Sequence, residues 1–585
     1  MNAERLLAHF ERISEAPDAI ARLRRFILDL AVRGKLVEQD PEDEPAENAL
    51  RIVRLQKQII QVEGRIRKDR NTPVLVGNPP FALPDGWQWL PFGEIHWLVR
   101  GVTYTKTDIS DAAQAGYVPV LRAGNIGPSL TLDDPVFVRS DCISTDQYLQ
   151  EGDFLIALSS GSKSLVGKAA LVGDVDAYAF GGFCGVIRLV DKEYNDFTGV
   201  YLQSDLYREA ISLGSRGIGI NNLKKEVLAN SYFPLPPLAE QHRIVAKVDE
   251  LMALCDQLEA ARNQRQQGRE RLVAATLQRL NQPSEDPASY RQDASFALQV
   301  LPSLTTTPAQ IKQLRQTILN LAVRGKLVEQ DPQDEPAGEL LSKISQDLAA
   351  FTLQRRSRSE VKSVLTPGDR PFTLPSEWRW VRLDELFRAI TDGDHQPPPK
   401  ASEGVSFLTI GNISGGTIDF KGCRFVSNEY FDSLDEIRTP EHGDILYTVV
   451  GATYGRPVIV TTKRPFCVQR HIAILKPSRL MNSGYLLQLL SSPFIYSQAT
   501  SSLTGTAQPT VALRPLRSFL APLPPLAEQH RIVAKVDELM ALCDQLEQQL
   551  SQADQQRRRL LEAVLAEALG GRLSTEQEES HAAIA

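Results

Sequence analysis

The sequence predicts an α+β protein built by tandem duplication: two globular α+β domains, each set between a helical lead-in and a long helix. Three observations carry this. First, PLPPLAEQHRIVAKVDELMALCDQLE at 234–259 recurs letter for letter at 522–547, an offset of 288. ILDLAVRGKLVEQDPEDEPA (27–46) returns as ILNLAVRGKLVEQDPQDEPA (318–337), and FALPDGWQWLPFGEI (81–95) as FTLPSEWRWVRLDEL (372–386), both at 291. Self-similarity at a fixed offset marks repeated architecture. Second, the later part of each repeat carries a heptad pattern. Third, between the repeated flanks lie diverged stretches rich in short β-like runs.

Taken in order, residues 1–75 read as an N-terminal helical lead-in and 81–233 as the first globular domain. A central long helix follows over 234–282 and a linker over 283–310. The second half repeats this as a helical lead-in (311–366), a globular domain (372–521) and a C-terminal long helix (522–570), before a flexible tail (571–585). The globular domains show VPVLRA, DFLIALSS and GVIRLV, then VSFLTIGNI, DILYTVVG and HIAILKP, with Gly, Asn, Asp and Ser between them. LRAGNI (121–126) and LTIGNI (408–413) are a faint echo of one another.

The long helices follow from periodicity. Ile532, Val536, Leu539, Cys543, Leu546, Leu550, Ala553, Leu560 and Val564 fall on alternating steps of four and three, interrupted by Arg557. That is an a/d seam, and a helix from Glu528 to Glu567 spans about 60 Å. The first copy keeps the seam through Ile244, Val248, Leu251, Cys255 and Leu258, then sets Arg262, Arg265 and Arg269 on it before Leu272. Either the register shifts there or the stretch faces something acidic or wet. Pro234, Pro236 and Pro237, like Pro522, Pro524 and Pro525, are placed to start the helices.

Composition narrows the class. The chain has 585 residues, Lys+Arg 65 against Asp+Glu 72, a formal net charge of −7 and 42% hydrophobic residues, the profile of an ordinary globular protein. No run approaches the roughly 18 apolar residues of a membrane span, and the charged N-terminus lacks a signal-peptide pattern. The expected location is the cytoplasm. Six scattered cysteines without a C-x-x-C pair suggest buried thiols, and eight scattered histidines show no metal-ligand spacing. No metal site is expected.

The distribution of sameness points to partners. A seam needs only apolar letters, yet the polar face of the helices is duplicated too: His242/His530, Arg243/Arg531, Lys247/Lys535, Asp249/Asp537, Glu250/Glu538 and Asp256/Asp544. Each copy then offers one surface to the same partner; the alternative is a recent duplication that has not drifted. The globular domains have diverged almost completely. Two readers of different targets, held apart by a rigid spacer, suit duplex DNA with half-sites about one helical turn apart.

The tandem layout, the RGKLV-Q-DP-DEPA lead-ins, the LP-x-x-W-x-W segments and the PLPPLAEQ-R-I-V-K-V-D-L openings together resemble the specificity subunit of type I restriction–modification systems, over essentially the whole chain. The resemblance implies two target recognition domains, each reading one part of a split asymmetric DNA site. It also implies an antiparallel coiled-coil spacer that docks two methyltransferase (M) subunits, to which two restriction/translocase (R) subunits can be added. It implies no catalytic site in this chain. S-adenosylmethionine would belong to the M subunit, and ATP and Mg²⁺ to the R subunit. His242, Arg243, Lys247, Asp249 and Glu250, with His530, Arg531, Lys535, Asp537 and Glu538, are the candidates for M docking.

Base edges are read by Arg, Lys, Asn and Gln from loops that enter the major groove. Candidates in the first domain are Arg122, Asn125, Ser160, Lys163, Arg216, Asn221 and Asn222. In the second they are Asp394, His395, Gln396, Asn412, Thr453, Tyr454, Arg456, Gln469, Arg470, His471 and Gln508. For each, an ordinary turn or strand-end role stands as the alternative. Charge does not favour strong DNA binding by the isolated chain: residues 81–233 hold 12 Lys/Arg against 18 Asp/Glu, and 372–521 hold 15 against 13. Arg65, Arg67, Lys68 and Arg70, with Arg355, Arg356, Arg358 and Lys362, form basic strips that are either phosphate contacts or a solvated linker.

Three strings imitate enzymes. Asn78-Pro79-Pro80-Phe81 matches an adenine methyltransferase motif but has no Gly-rich cofactor loop upstream. The matching place in the second repeat reads Asp369-Arg370-Pro371-Phe372, so 77–81 is a linker into the domain. The stretch from Gly161 to Ala169 misses a phosphate loop by one residue of spacing and a hydroxyl. Glu360-Val361-Lys362 lacks a partner carboxylate. A self-contained methyltransferase and a scaffold that reads no DNA are the rival functions.

Overall fold

The computed structural model describes residues 16, 18–64, 72–162, 164–214, 221–281, 287–354, 365, 367–393, 398–399, 401–413, 415–505 and 508–569. The chain divides into two units, one of residues 1–264 with 554–585 and one of 265–553.

In the first unit, helices Ala19–Val32 and Ala46–Val62 form the lead-in. Ile20, Ile27, Ala31, Leu50 and Val53 recur at helical spacing and enter the core. The globular domain opens with strand Gln88–Pro91 and closes with Tyr232–Leu235, paired antiparallel with Gln88 opposite Leu235. Its departure point therefore lies beside its arrival point. Between them a four-stranded sheet runs in the order His96–Arg100, Cys184–Leu189, Phe154–Ala157, Ala169–Leu171. A second sheet holds Ile109–Ser110, Val136–Arg139, Tyr117–Leu121 and Ala179–Phe180.

FLIA is apolar throughout because both faces of its sheet are covered. Phe154 and Ile156 meet Phe197, Tyr201 and Tyr207 from helices Asn195–Gln203 and Asp205–Gly214. Leu155 and Ala157 point the other way, toward Leu121 and Phe180. Successive side chains on a strand alternate faces, so a fully buried strand loses its polar letters. At the seam between lead-in and domain, Asp29 faces Asp205 at the start of helix Asp205–Gly214. Burial and the neighbouring Asp205 carboxylate push its carboxyl up to about 6, against a smaller opposing effect of Arg33.

The second unit repeats the plan. Helices Pro308–Val323 and Ala337–Gln354 lead into strand Arg379–Arg382, which pairs with Leu520–Leu523, Arg379 opposite Leu523. The main sheet runs Phe387–Asp392, Ile472–Pro477, Ile445–Thr448, Pro457–Ile459, with helices Ser483–Ser491 and Pro493–Ser501 against it. A three-stranded sheet of Arg424–Val426, Val405–Leu408 and Phe466–Val468 completes it. All six β-like runs read from the sequence contain strands. The span read as a linker, 283–310, differs: it contains helix Pro287–Leu304, whose Ala297 and Leu301 bury against Val273, Leu277 and Leu280.

The long helices are Leu238–Asn281 and Leu526–Leu569, 44 residues each. Their first turns are fixed by the prolines before them: Gln241 Nε2 donates to the Pro236 carbonyl at 2.9 Å, and Gln529 Nε2 to the Pro524 carbonyl at 3.0 Å. In the second helix Ile532, Val536 and Cys543 are buried on the expected seam. In the first helix the register shifts. Cys255, Leu258, Arg262, Gln266, Arg269 and Val273 mark the inward face, with two successive steps of four after Leu258. Leu272 is left 41% exposed and Arg265 faces solvent, while Val273, Leu277 and Leu280 take the seam. Arg262, on the inward face, donates to the Ala16 carbonyl at 2.7 Å.

Candidate nucleic-acid interface

Strand register gathers the variable loops. In the first domain Cys184 pairs with Ala157, and Gly185 with Arg100. In the second, Ile472 pairs with Thr448, and Ala473 with both Asp392 and Tyr447. The segments after Arg100, after Ala157 and before Cys184 thus emerge at one end of a sheet. Those after Asp392, after Thr448 and before Ile472 emerge at the corresponding end of the other.

The backbone frame at this end is the same in both domains. Leu158 N–H donates to the Phe183 carbonyl at 2.9 Å, and Val449 N–H to the His471 carbonyl at 3.1 Å. A side chain at Gly101 would overlap the Gly181 carbonyl, and one at Gly393 the Val468 carbonyl. Both positions require glycine because two backbones cross there. Beneath each frame sits a buried ion pair, Arg188–Asp153 at 2.6 Å and Lys476–Asp444 at 2.7 Å.

On this common frame the side chains differ. The first domain surrounds a cleft of about 830 Å³ with Thr103, Tyr104, Arg122, Ser159 and Phe183. Strand Ser159–Ser160 pairs with Asn221–Asn222, and Ser159 Oγ donates to Asn222 Oδ1 at 2.9 Å, so Ser160 and Asn222 reach the same edge. Arg122 lines the cleft but spends Nη2 on the Asp134 carbonyl and carboxylate, both at 3.1 Å. The second domain gathers Thr453, Arg456, Gln469, Arg470 and His471, with Gln508 brought in by the Gly451 N–H bond to the Pro509 carbonyl at 2.9 Å. Arg456, Arg470 and Gln508 are exposed. Burial and the Arg470 charge hold His471 below the ordinary histidine range.

Two candidates have their amides engaged within the domain. Asn125 is buried; its Oδ1 accepts the Arg122 N–H at 2.9 Å and its Nδ2 donates to the Asp133 carbonyl at 2.7 Å. Asn412 does the same for Thr409 N–H (2.9 Å) and the Asp419 carbonyl (2.9 Å). Both close a short turn after a strand, which explains the echo between LRAGNI and LTIGNI and leaves their amides committed. Tyr454 is likewise engaged, stacked on Tyr496 at 5.4 Å and 5° with its hydroxyl 3.0 Å from Thr500 Oγ1. Lys163, Arg216, Asp394, His395 and Gln396, and the strips Arg65, Arg67, Lys68 and Arg356, Arg358, lie outside the described residues, as does the side chain of Asn221.

The duplicated polar face of the long helices has an internal explanation that the sequence reading passed over. Arg243 forks onto Asp43 (2.6 and 3.2 Å), and Arg531 onto Asp334 at the same two distances. Arg24 bonds Asp256 (2.5 Å) and Glu259 (2.8 Å); Arg315 bonds Asp544 and Glu547, both at 2.7 Å. Buried Glu240 accepts from Trp87 Nε1 (2.8 Å) and Gln39 (2.7 Å), and Glu528 from Trp378 Nε1 (2.8 Å) and Gln330 (2.7 Å). Arg243 and Arg531 therefore clamp the lead-in, and their identity needs no external partner. Lys247–Glu250 and Lys535–Glu538 pair along the helix at 2.9 Å. His242, Asp249, Glu250 and their duplicates His530, Asp537 and Glu538 remain exposed. So do Leu254 and Leu542, 46% and 51%, which the seam pattern missed because they fall one residue off it.

The enzyme-like strings resolve structurally. Phe81 packs edge-on against Trp89 at 5.0 Å beneath Arg33, and Phe372 against Trp380 at 4.8 Å beneath Arg324. The phenylalanine anchors each domain, while Asn78, Pro79 and Pro80 are exposed. Gly161 to Ala169 runs into strand Ala169–Leu171, where a phosphate loop would open a helix. Among the described residues no cluster of His, Cys, Asp and Glu is arranged to hold a metal ion, and no helix is long and apolar enough to cross a membrane.

Two copies of one backbone frame, each presenting its own loop set, define a modular protein of the recognition class. The chain belongs to the type I restriction modification DNA specificity domain family, whose model matches residues 84–265 and 375–553. It is 29% identical over 566 residues to the type I restriction enzyme EcoAI specificity subunit of Escherichia coli, covering 93% of each chain. It is 28% identical to the EcoEI specificity subunit of the same species, covering 94% of each. A solved structure, the HsdS subunit from Thermoanaerobacter tengcongensis, is 22% identical, with 84% of this chain and 99% of that one covered and a TM-score of 0.41. This chain is a type I specificity subunit with two recognition domains, a non-catalytic part of a restriction–modification complex.

Proposed function

We propose that each globular domain reads one half of a split asymmetric DNA site through the loops at one end of its main sheet, while the long helices set the spacing. The observation that carries this is the matched frame with unmatched loops. Leu158–Phe183 and Val449–His471 make the same bond, yet the residues beside them differ, with Gly181, Gly182 and Phe183 in one domain against Gln469, Arg470 and His471 in the other. Reading different sequences with one docking geometry requires that pattern.

Two M subunits dock on the long helices, around His242, Lys247, Asp249, Glu250 and Leu254 and their duplicates, with R subunits added in the full assembly. S-adenosylmethionine is held by M, and ATP with Mg²⁺ by R. The complex works in the cytoplasm. The decisive experiment is a methylation map: the chain is expressed with its cognate M subunit in a host without adenine methylation, and N6-methyladenine is located by sequencing. A split asymmetric motif that depends on this chain is expected. A continuous short site, or methylation without this chain, would return the scaffold reading. The purified chain alone is expected to show no S-adenosylmethionine binding by calorimetry; saturable binding would revive the methyltransferase reading.

A further inference from the structure

Phe183 stands out on the recognition edge of the first domain. It is 67% exposed, the most exposed phenylalanine among the large hydrophobics that face solvent in the described residues. Its backbone is nonetheless firmly held, its carbonyl accepting from both Leu158 N–H (2.9 Å) and Ser159 N–H (3.0 Å). Gly181 and Gly182 precede it, and the ring borders the cleft lined by Thr103, Tyr104 and Arg122. The equivalent place in the second domain, defined by the same bond from Val449, is His471, preceded by Gln469 and Arg470.

An apolar ring held out from a rigid loop has no use in the domain's own core. Most of its neighbours at this edge are hydroxyls and amides. Of the groups that base pairs present in the major groove, only the C5-methyl of thymine is apolar, and apolar side chains including Phe are its readers. Beside the equivalent His471 the second domain offers Arg470 and Gln469, side-chain types whose partners are guanine and adenine. We infer that Phe183 is a base-reading residue that contacts the C5-methyl of a thymine in the half-site of the first domain. The inference rests on that domain reading a half-site at all.

The test uses the complex with the cognate M subunit. Exchange of residues 81–233 for another variable domain comes first; if the methylated sequence does not change in one half, the underlying reading fails and not merely this residue's role. Each thymine of the assigned half-site is then replaced singly by deoxyuridine, which removes only the methyl, and kcat/KM for methylation is measured. One position is expected to lose roughly fourfold, the ratio that burial of a single methyl-sized group carries. In Phe183→Ala the thymine and deoxyuridine duplexes should be methylated equally at that position, with other positions unchanged. Phe183→Leu should retain part of the preference. A deoxyuridine penalty that persists in Phe183→Ala overturns the assignment. So does a uniform loss at all positions, or a half-site without thymine.

Discussion

Replacing Asp29 by Asn tests how the lead-in helix joins the first domain. The Asp29 carboxyl is pushed from 3.8 to about 6 by burial and by the facing Asp205 charge. The ionised form is therefore disfavoured in the folded state. Because the folded pKa is raised, stability falls as pH rises from the unfolded value through about 6, and the full penalty is present above pH 7. At 1.36 kcal/mol per unit the shift corresponds to roughly 3 kcal/mol. Asn is close to Asp in size and shape and removes the charge. Asp29→Asn should raise the melting temperature of the transition containing the first unit by about 5 °C at pH 8, and the gain should shrink toward zero below pH 4. Scanning calorimetry from pH 4 to 8 reads this directly. A gain of equal size at both ends, or none at pH 8, would refute the electrostatic origin.

Three other outcomes follow from the same structure. Gly393→Ala forces a methyl into the Val468 carbonyl and should destabilise the second domain by about 1–3 kcal/mol, lowering methylation through its half-site; altered preference in the other half would contradict the independence of the two edges. Four residues inserted near Gln549 add about one turn, roughly 6 Å, and should lengthen the tolerated spacer without changing either half-site sequence in a methylation map. Leu254→Asp with Leu542→Asp should weaken M binding about 10–100-fold per site, since a buried Leu is worth about 1.5–3 kcal/mol, while circular dichroism stays unchanged. Unaltered affinity by analytical ultracentrifugation would move the docking face elsewhere.

The architecture was legible where a pattern is local and repeated. The seam from Ile532 to Val564 needs only helical periodicity, and VSFL or FLIA only burial on both faces. The register shift after Leu258 was visible as arginines on the seam, yet choosing between a shift and a wet interface needed Val273 and Leu277 in place. The recognition edges were legible as loop segments and not as side chains. Asn125 and Asn412 have the right chemistry for adenine but turn inward to close a strand end, a use that depends on Asp133 and Asp419 several residues away. Phe183 carried no signal, because one phenylalanine in a glycine-rich stretch reads as core until its exposure is known. Arg243 misled for another reason: its partner Asp43 lies 200 residues upstream in a segment that is itself duplicated, so identical polar letters looked like a surface when they were one half of an internal contact.

Leu561, in the last third of the second long helix, is fully buried against Ala16 and Ala19, and Arg22 of the same lead-in bonds Glu562 at 2.9 Å. The first unit thus includes residues made 545 positions apart. Closing so long a loop adds little entropy cost over a shorter one, since that cost grows only with the logarithm of length. It does set a timetable. At about 5–20 residues per second, the ribosome needs roughly half a minute to two minutes after finishing Ala19 before Leu561 exists. Throughout that interval the lead-in surface lacks its cover, and a chain terminated before the last helix never acquires it. The main core of the first unit, drawn from residues 20–258, is synthesised long before this contact, so the cover over Ala16 and Ala19 is the last part of that unit to be added.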